Sequence, residues 1–185
     1  MSGYYHLFPA DGTHEVRSIP EEEKKEKCNE KHRSMDDVTK MLNKAGFDQE
    51  LQEMRDNGNA EQEQALMLFS IDHYEEIVSG HVPAFRKELM YAAAKKLNYK
   101  KKKSMIYGSV TDHSFALLCP VSDHKDAEGI CEDERRKIAS VSVVAGFDVR
   151  LSVSAACVLL SDYEPEDNIV YALRAKLRRD EVLHG

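Results

Sequence analysis

Two dipeptides carry side chains suited to gripping a cation or moving a proton. Asp72-His73 follows one apolar run, and Asp112-His113 lies between two others. Aspartate with imidazole suits zinc or another transition ion better than magnesium, which prefers oxygen donors. The plainer reading is a set of polar loop residues at strand ends, so neither a metal nor a cofactor is assigned. Two basic runs form a second kind of constellation: Lys95, Lys96, Lys100, Lys101, Lys102 and Lys103, then Arg174, Lys176, Arg178 and Arg179. Such runs fit a nucleotide, a phosphorylated ligand or an acidic partner. They are equally the ordinary form of a solvated helix end or a protected strand edge. Little aromatic residue beyond Tyr99 interleaves them, which suits single-stranded nucleic acid poorly. G-x-x-x-x-G-K-[ST], H-E-x-x-H and G-x-S-x-G motifs are absent. The cysteines Cys28, Cys119, Cys131 and Cys157 form no CxxC pair and read as reduced, structural thiols.

These residues need a scaffold, and 185 residues suffice for one domain with a sizeable core and a short extension. Hydrophobic residues make up 42% and charged residues 32%, as in an ordinary water-soluble domain. The net charge of -7 argues against a general nucleic-acid binder. No apolar run approaches the roughly 20 residues that span a bilayer. The opening residues lack the basic start and apolar stretch of a secretory signal, so a cytoplasmic location is expected.

Residues 1–19 carry Gly and Pro breakers without periodicity and read as a loosely ordered arm. Residues 20–34 are charged and helix-prone behind Pro20, and read as a linker helix. The folded domain is expected over 35–185. Asp36 and Thr39 precede a helical stretch with apolar positions at Met41, Leu42, Phe47, Leu51 and Met54. Residues 65–71, ALMLFSI, are short and apolar on both alternations, which predicts a strand buried in the middle of a sheet. A helix follows Pro83, with Phe85, Leu89, Ala92, Ala93 and Leu97 on one stripe. Residues 104–110 and 114–120 read as a hairpin around Thr111-Asp112-His113. Beyond it the pattern predicts a helix over 124–144, a strand over 148–160, an amphipathic helix over 166–179 and a last short strand at 181–184. A hairpin among crossover units implies a mixed sheet flanked by helices.

Asp36-Asp37-Val38-Thr39-Lys40-Met41-Leu42-Asn43-Lys44-Ala45-Gly46-Phe47 resembles the opening motif of GGDEF domains, D-x-L-T-G-L-P-N-R-R-x-F, with Asp36, Thr39, Asn43 and Phe47 identical. Three further segments follow in family order. Residues 65–77 resemble the first strand, l-l-l-l-D-I-D-x-F-K-x-I. Residues 104–120 resemble the signature hairpin, and 150–158 the v-T-v-S-i-G-v-a strand. The resemblance covers about residues 36–182. It implies an α+β fold of the nucleotidyl-cyclase palm type, with about five central strands between helices.

In that family two GTP molecules are joined into cyclic di-GMP across a homodimer, with metal ions bridging phosphate oxygens. The family's metal aspartate aligns with Ser70, and its G-G-D-E-F signature aligns with Thr111-Asp112-His113-Ser114-Phe115, placing Ser114 at the hairpin glutamate. The guanine-contacting Asn and Asp align with Val78 and Lys87. Asp72 keeps the second acidic position of the strand end, and the alignment brings it, His73, Asp112 and His113 to one end of the sheet. The product-inhibition motif R-x-x-D falls on Lys102-Lys103-Ser104-Met105, without its acid. His81 lies two residues early for the family's G-H and reads as a surface residue. The resemblance therefore implies a degenerate domain acting as a regulatory protein-interaction module, with a protein partner or a homodimer and no role for nucleic acid or membrane. A non-catalytic sensor of a nucleotide or cyclic di-GMP is the alternative, in which Lys100 to Lys103 contribute to the anion site. An active cyclase of altered specificity comes third.

Overall fold

The computed structural model describes residues 34–56, 62–97, 104–164 and 168–184, with the backbone alone for 181–184. The expected arm, nearly all of the linker helix, and Lys100 to Lys103 lie outside the described residues.

The first turn shows why the opening motif has its residue types. Asp36 Oδ1 accepts from the Val38 and Thr39 N–H groups, at 3.2 and 2.6 Å, and from the Thr39 hydroxyl at 2.7 Å. Short polar side chains hold such turns by replacing backbone partners. The turn drops Met41 into the core, 1% exposed. Strand β1 (Leu42–Asn43) and helix α1 (Lys44–Asp56) follow. Asn43 Oδ1 caps α1 by accepting from the Gly46 N–H at 2.9 Å. Met41 and Leu42 thus precede the helix, whose buried face begins at Gly46 and Phe47.

Strand β2 (Glu63–Ile71) leads to a short helix α2 (Tyr74–Ser79) and to α3 (Ala84–Leu97). Strands β3 (Ile106–Thr111) and β4 (Ser114–Val121) form the expected hairpin, with a register shift between Ser109 and Thr111 and Asp112-His113 as its loop. Helix α4 (His124–Ala139) starts at a reciprocal cap. Asp123 accepts from the Asp126 N–H, and Asp126 accepts from the Ser122 N–H, both at 2.8 Å.

The expectation of a helix to residue 144 is wrong. The helix ends at Ala139, and β5 (Val143–Val144) and β6 (Phe147–Asp148) make a small hairpin. Ala145 and Gly146 turn it at φ 50° and 85°, the positive pair that two-residue hairpins require. Strand β7 (Val153–Leu159) is therefore shorter than expected. Helix α5 (Ile169–His184) runs through the segment expected as a final strand, since no breaker interrupts it before Gly185.

The main sheet has the order β1-β3-β4-β2-β7, with β1 parallel to β3 and every other neighbouring pair antiparallel. Strand β2 is interior, as its uninterrupted apolar run requires. Its odd residues, Ala65 to Ile71, pack with Phe85, Leu89 and Ile138 from α3 and α4. Leu66 and Leu68 pack on the other face with Phe47, Leu51, Ile169 and Leu173 from α1 and α5. Gly108 lets α1 approach the sheet, because a Cβ there would stand 2.7 Å from the Phe47 ring. Strand β7 is an edge, and neighbouring side chains occupy its outer row. The Ala155 N–H donates to Asp180 Oδ2 at 3.1 Å, while Lys176 Nζ donates to the Cys157 carbonyl and Arg135 Nη1 to the Val153 carbonyl, both at 3.4 Å. Cys119, Cys131 and Cys157 form no disulfide with one another.

Candidate functional site

The polar residues singled out in the sequence meet at one end of the sheet, where β2 ends, the β3–β4 hairpin turns and β7 begins. Ser70 stands opposite Ser114 on β4 and opposite Ser154 on β7. Facing residues of antiparallel strands point to the same side, so the three hydroxyls form one row on the α1/α5 face. Ser114 is 5% exposed and Ser154 1%, whereas Ser70 is half-buried. Ser114 Oγ is hydrogen-bonded to Thr111 Oγ1, which also accepts from the His113 N–H at 3.3 Å. The Ser154 hydroxyl has no hydrogen-bond partner among the described residues.

Asp72 follows this row and is 2% exposed. Both of its carboxylate oxygens are engaged. Oδ2 accepts from the Ser152 hydroxyl at 2.7 Å, and Oδ1 from the Ser154 N–H at 3.2 Å. Its own N–H donates to the Ser152 carbonyl at 3.0 Å, and the Ile71 N–H donates to the His113 carbonyl at 2.9 Å. Asp72 therefore fastens the β2 end to the β7 start. Ser152 and Ser154 were not singled out in the sequence; their alternation in Leu151-Ser152-Val153-Ser154 was the available signal.

The imidazoles take other directions. His73 holds a left-handed backbone, φ 52°, and its Nδ1 lies 3.7 Å from Glu76. The His113 ring tilts toward Tyr74 at 5.5 Å between centroids. Among the described residues no three His, Cys, Asp or Glu side chains gather to hold one metal ion. Beside Tyr74, Arg86 grips Glu75 through two hydrogen bonds of 2.7 and 3.0 Å and lies 5.7 Å from the Tyr74 ring centroid. That hydrogen-bonded pair holds the Glu75 carboxyl below its usual range, and burial raises the Tyr74 phenol.

The remaining sequence candidates lie apart. Val78 is 3% exposed and belongs to the core, and Lys87 is exposed on α3. Thr111 and Asp112 are exposed at the hairpin tip. His81 corrects the expectation of a surface residue: it is half-buried, stacked on Phe85 at 3.9 Å and met edge-on by Phe147 at 4.8 Å.

Behind β7 lies a cleft of about 360 Å³, lined by Cys131, Cys157, Glu132, Arg135 and Asp180 among others. Cys131 and Cys157 share a hydrogen bond there, which lowers the Cys157 thiol and raises that of Cys131. A larger groove, about 620 Å³, runs between α1 and α5.

The sequence model of the diguanylate cyclase GGDEF domain matches residues 33–178. This chain belongs to the GGDEF family. No curated protein matches its sequence. Among solved structures, the GGDEF domain of FimX from Pseudomonas aeruginosa has a TM-score of 0.65 at 15% identity, over 82% of this chain and 93% of that one. The coiled coil and GGDEF domain of DgcB from Caulobacter crescentus, in complex with c-di-GMP, has a TM-score of 0.66 at 16% identity, over 87% and 86%. The diguanylate cyclase SiaD in complex with its activator SiaC, also from Pseudomonas aeruginosa, has a TM-score of 0.67 at 12% identity, over 89% of this chain and 63% of that one. The mixed five-stranded sheet is thus the GGDEF fold. No described helix of this GGDEF domain is long and apolar enough to cross a membrane.

Proposed function

We propose that this GGDEF domain makes no cyclic di-GMP and serves as a regulatory protein-interaction module in cyclic-di-GMP-type signalling. The observation that carries this reading is the polar end of the sheet. Where the family resemblance puts metal carboxylates, the chain offers the neutral hydroxyls of Ser70 and Ser114, and the oxygens of Asp72 are committed to β7. Hard divalent cations select anionic oxygen donors, so this set does not fit the two-metal chemistry of GTP condensation. Thr111 and Asp112 stand at the aligned turn glycines, where side chains obstruct close approach to a phosphate. Val78 and Lys87 stand at the aligned base contacts: one is enclosed in the core, and the other would present a cation where the family has a carboxylate. The solved complex of SiaD with its activator supports protein control as a use of this fold. In this reading residues 35–185 are the working domain, behind an arm at 1–19 and a linker at 20–34.

The deciding experiment incubates the purified chain with GTP and magnesium or manganese and follows cyclic di-GMP by chromatography. Product at background level is expected. Product well above background, abolished by Ser70→Ala or Ser114→Ala with folding intact, overturns the reading.

The DgcB complex with c-di-GMP favours a second reading, a sensor that binds without turnover. Isothermal titration with GTP, ATP and cyclic di-GMP tests it. Salt-sensitive binding that weakens on replacing Lys101, Lys102 and Lys103 by Ser would favour the sensor.

A further inference from the structure

The groove between α1 and α5 reverses the sign of the chain. The whole sequence carries a net charge of -7, yet Lys44, Arg55, Arg174 and Arg178 line the groove against the single carboxylate of Asp48. Asp48 is already paired with Lys44, and Arg55 donates to the Glu164 carbonyl. Arg174 and Arg178 are exposed, one helical turn apart, and neither forms an ion pair with any described residue. Tyr171 stands one turn before Arg174 with 69% of its surface exposed. Leu51 and Ile169 add an apolar floor at the bottom of the groove.

We propose that this groove docks an acidic amphipathic helix of a partner protein. The inference rests on the interaction-module reading and gives that module a working surface. A stripe of two guanidiniums that pair with no described residue, over an apolar floor, matches a helix with carboxylates at i and i+4 beside a leucine row. The length also fits: α1 has 13 residues, about 20 Å at 1.5 Å each, or roughly three and a half turns of a partner. A small anion would leave the floor and the length of the groove unused. A second copy of this acidic chain is the other macromolecular occupant, and the oligomeric state of the Arg variants tests it. Charge complementarity and shape therefore both favour a separate acidic helix.

The test uses the full chain and a fluorescein-labelled 15-residue helical peptide carrying Glu at i and i+4 and one leucine row. A control peptide has every Glu replaced by Lys. Fluorescence anisotropy should show the acidic peptide binding at least tenfold more tightly than the control, and more weakly as salt rises. Arg174→Glu with Arg178→Glu should cut that affinity at least tenfold. Tyr171→Ala should cut it about threefold, with thermal midpoints unchanged in both variants. Three results would overturn the proposal. One is peptide affinity indifferent to the Arg pair. A second is binding of inorganic tripolyphosphate at the Arg pair without peptide binding, which would make this a small-anion site. The third is a concentration-dependent oligomer dissolved by the Arg reversals, which would make a second copy the occupant. Cyclase activity in the same preparation would sink the non-catalytic reading while leaving the docking result intact, so the two failures are separable.

Discussion

The carboxyl end of β2 and the α1–α5 groove both concentrate polar side chains, and they do opposite things with them. At the strand end a carboxylate is buried and spends both oxygens on Ser152 and Ser154, so its chemistry is absorbed in joining two strands. In the groove Arg174 and Arg178 are exposed and hold no ion pair with a described residue, so their chemistry is available to something outside the fold. A fully partnered polar group inside stabilises a fold, whereas an unpartnered pair outside is affordable only because water solvates it. The aspartate, though aligned with a family acid, therefore reads as structure, while the arginines read as recognition.

Substitutions separate the two regions, and the largest effect is expected at the strand end. Asp72→Ala strands the buried Ser154 N–H, leaves the exposed Ser152 hydroxyl to water, and should lower unfolding stability by about 2 kcal/mol in urea titration. A loss below about 1 kcal/mol would mean that the carboxylate is not holding β2 to β7. Ser154→Ala is the counterpart: it removes a buried hydroxyl with no partner among the described residues, so stability should stay within about 1 kcal/mol of wild type or rise. A clear loss would reveal a partner for that hydroxyl, such as an ordered water or a ligand, and would reopen the row as a site.

In the groove, Arg174→Glu with Arg178→Glu should change stability by less than about 0.5 kcal/mol, since exposed unpaired charges contribute little to folding. A large loss would place the arginines with Asp72 among the groups that hold the fold, and the contrast would fail.

The smallest effect concerns pH. Arg135 and then Arg136 bind Glu132 and depress its carboxyl from the ordinary 4.5 to about 2. A depressed acid stabilises the folded form above pH 4.5 and loses that contribution as pH falls toward 2. Glu132 is partly exposed, so solvent screens the gain. Acid titration of wild type and Glu132→Gln should show a slightly steeper loss in wild type between pH 4.5 and 2, flattened by salt. Identical profiles would remove Glu132 from the ion pairs that flank the cleft behind β7.

What was legible in the sequence follows from the distance over which each feature is determined. The run ALMLFSI announced an interior strand because Ala65 to Phe69 are apolar on both alternations, and a strand with no polar side has no edge to occupy. Asp36 and Thr39 stood out because they bond within a few residues of themselves, but they hold a turn, and the helix cap Asn43 entered only through the family motif. The β5–β6 hairpin was missed because two residues per strand carry no period, and its Ala145-Gly146 turn lacks the usual Asn or Asp. The partners of Asp72 come from β7, about 80 residues on. No local pattern could state that both oxygens are taken. The groove was half visible: the arginines of α5 stood out as a run, but Lys44 and Arg55 approach them only through the packing of α1 and α5 on one face of the sheet.

The occupied outer row of β7 has a consequence for how other molecules can meet this domain. A bare sheet edge invites another chain to extend it strand by strand, whether as a bound peptide or as the seed of an aggregate. Asp180, Lys176 and Arg135 take up the groups such a strand would bond. At the far end, β1 offers two residues, too few to template an added strand. Backbone-to-backbone growth is thereby discouraged at both margins of the sheet, and association is left to side chains on the helices, where its selectivity can be set residue by residue.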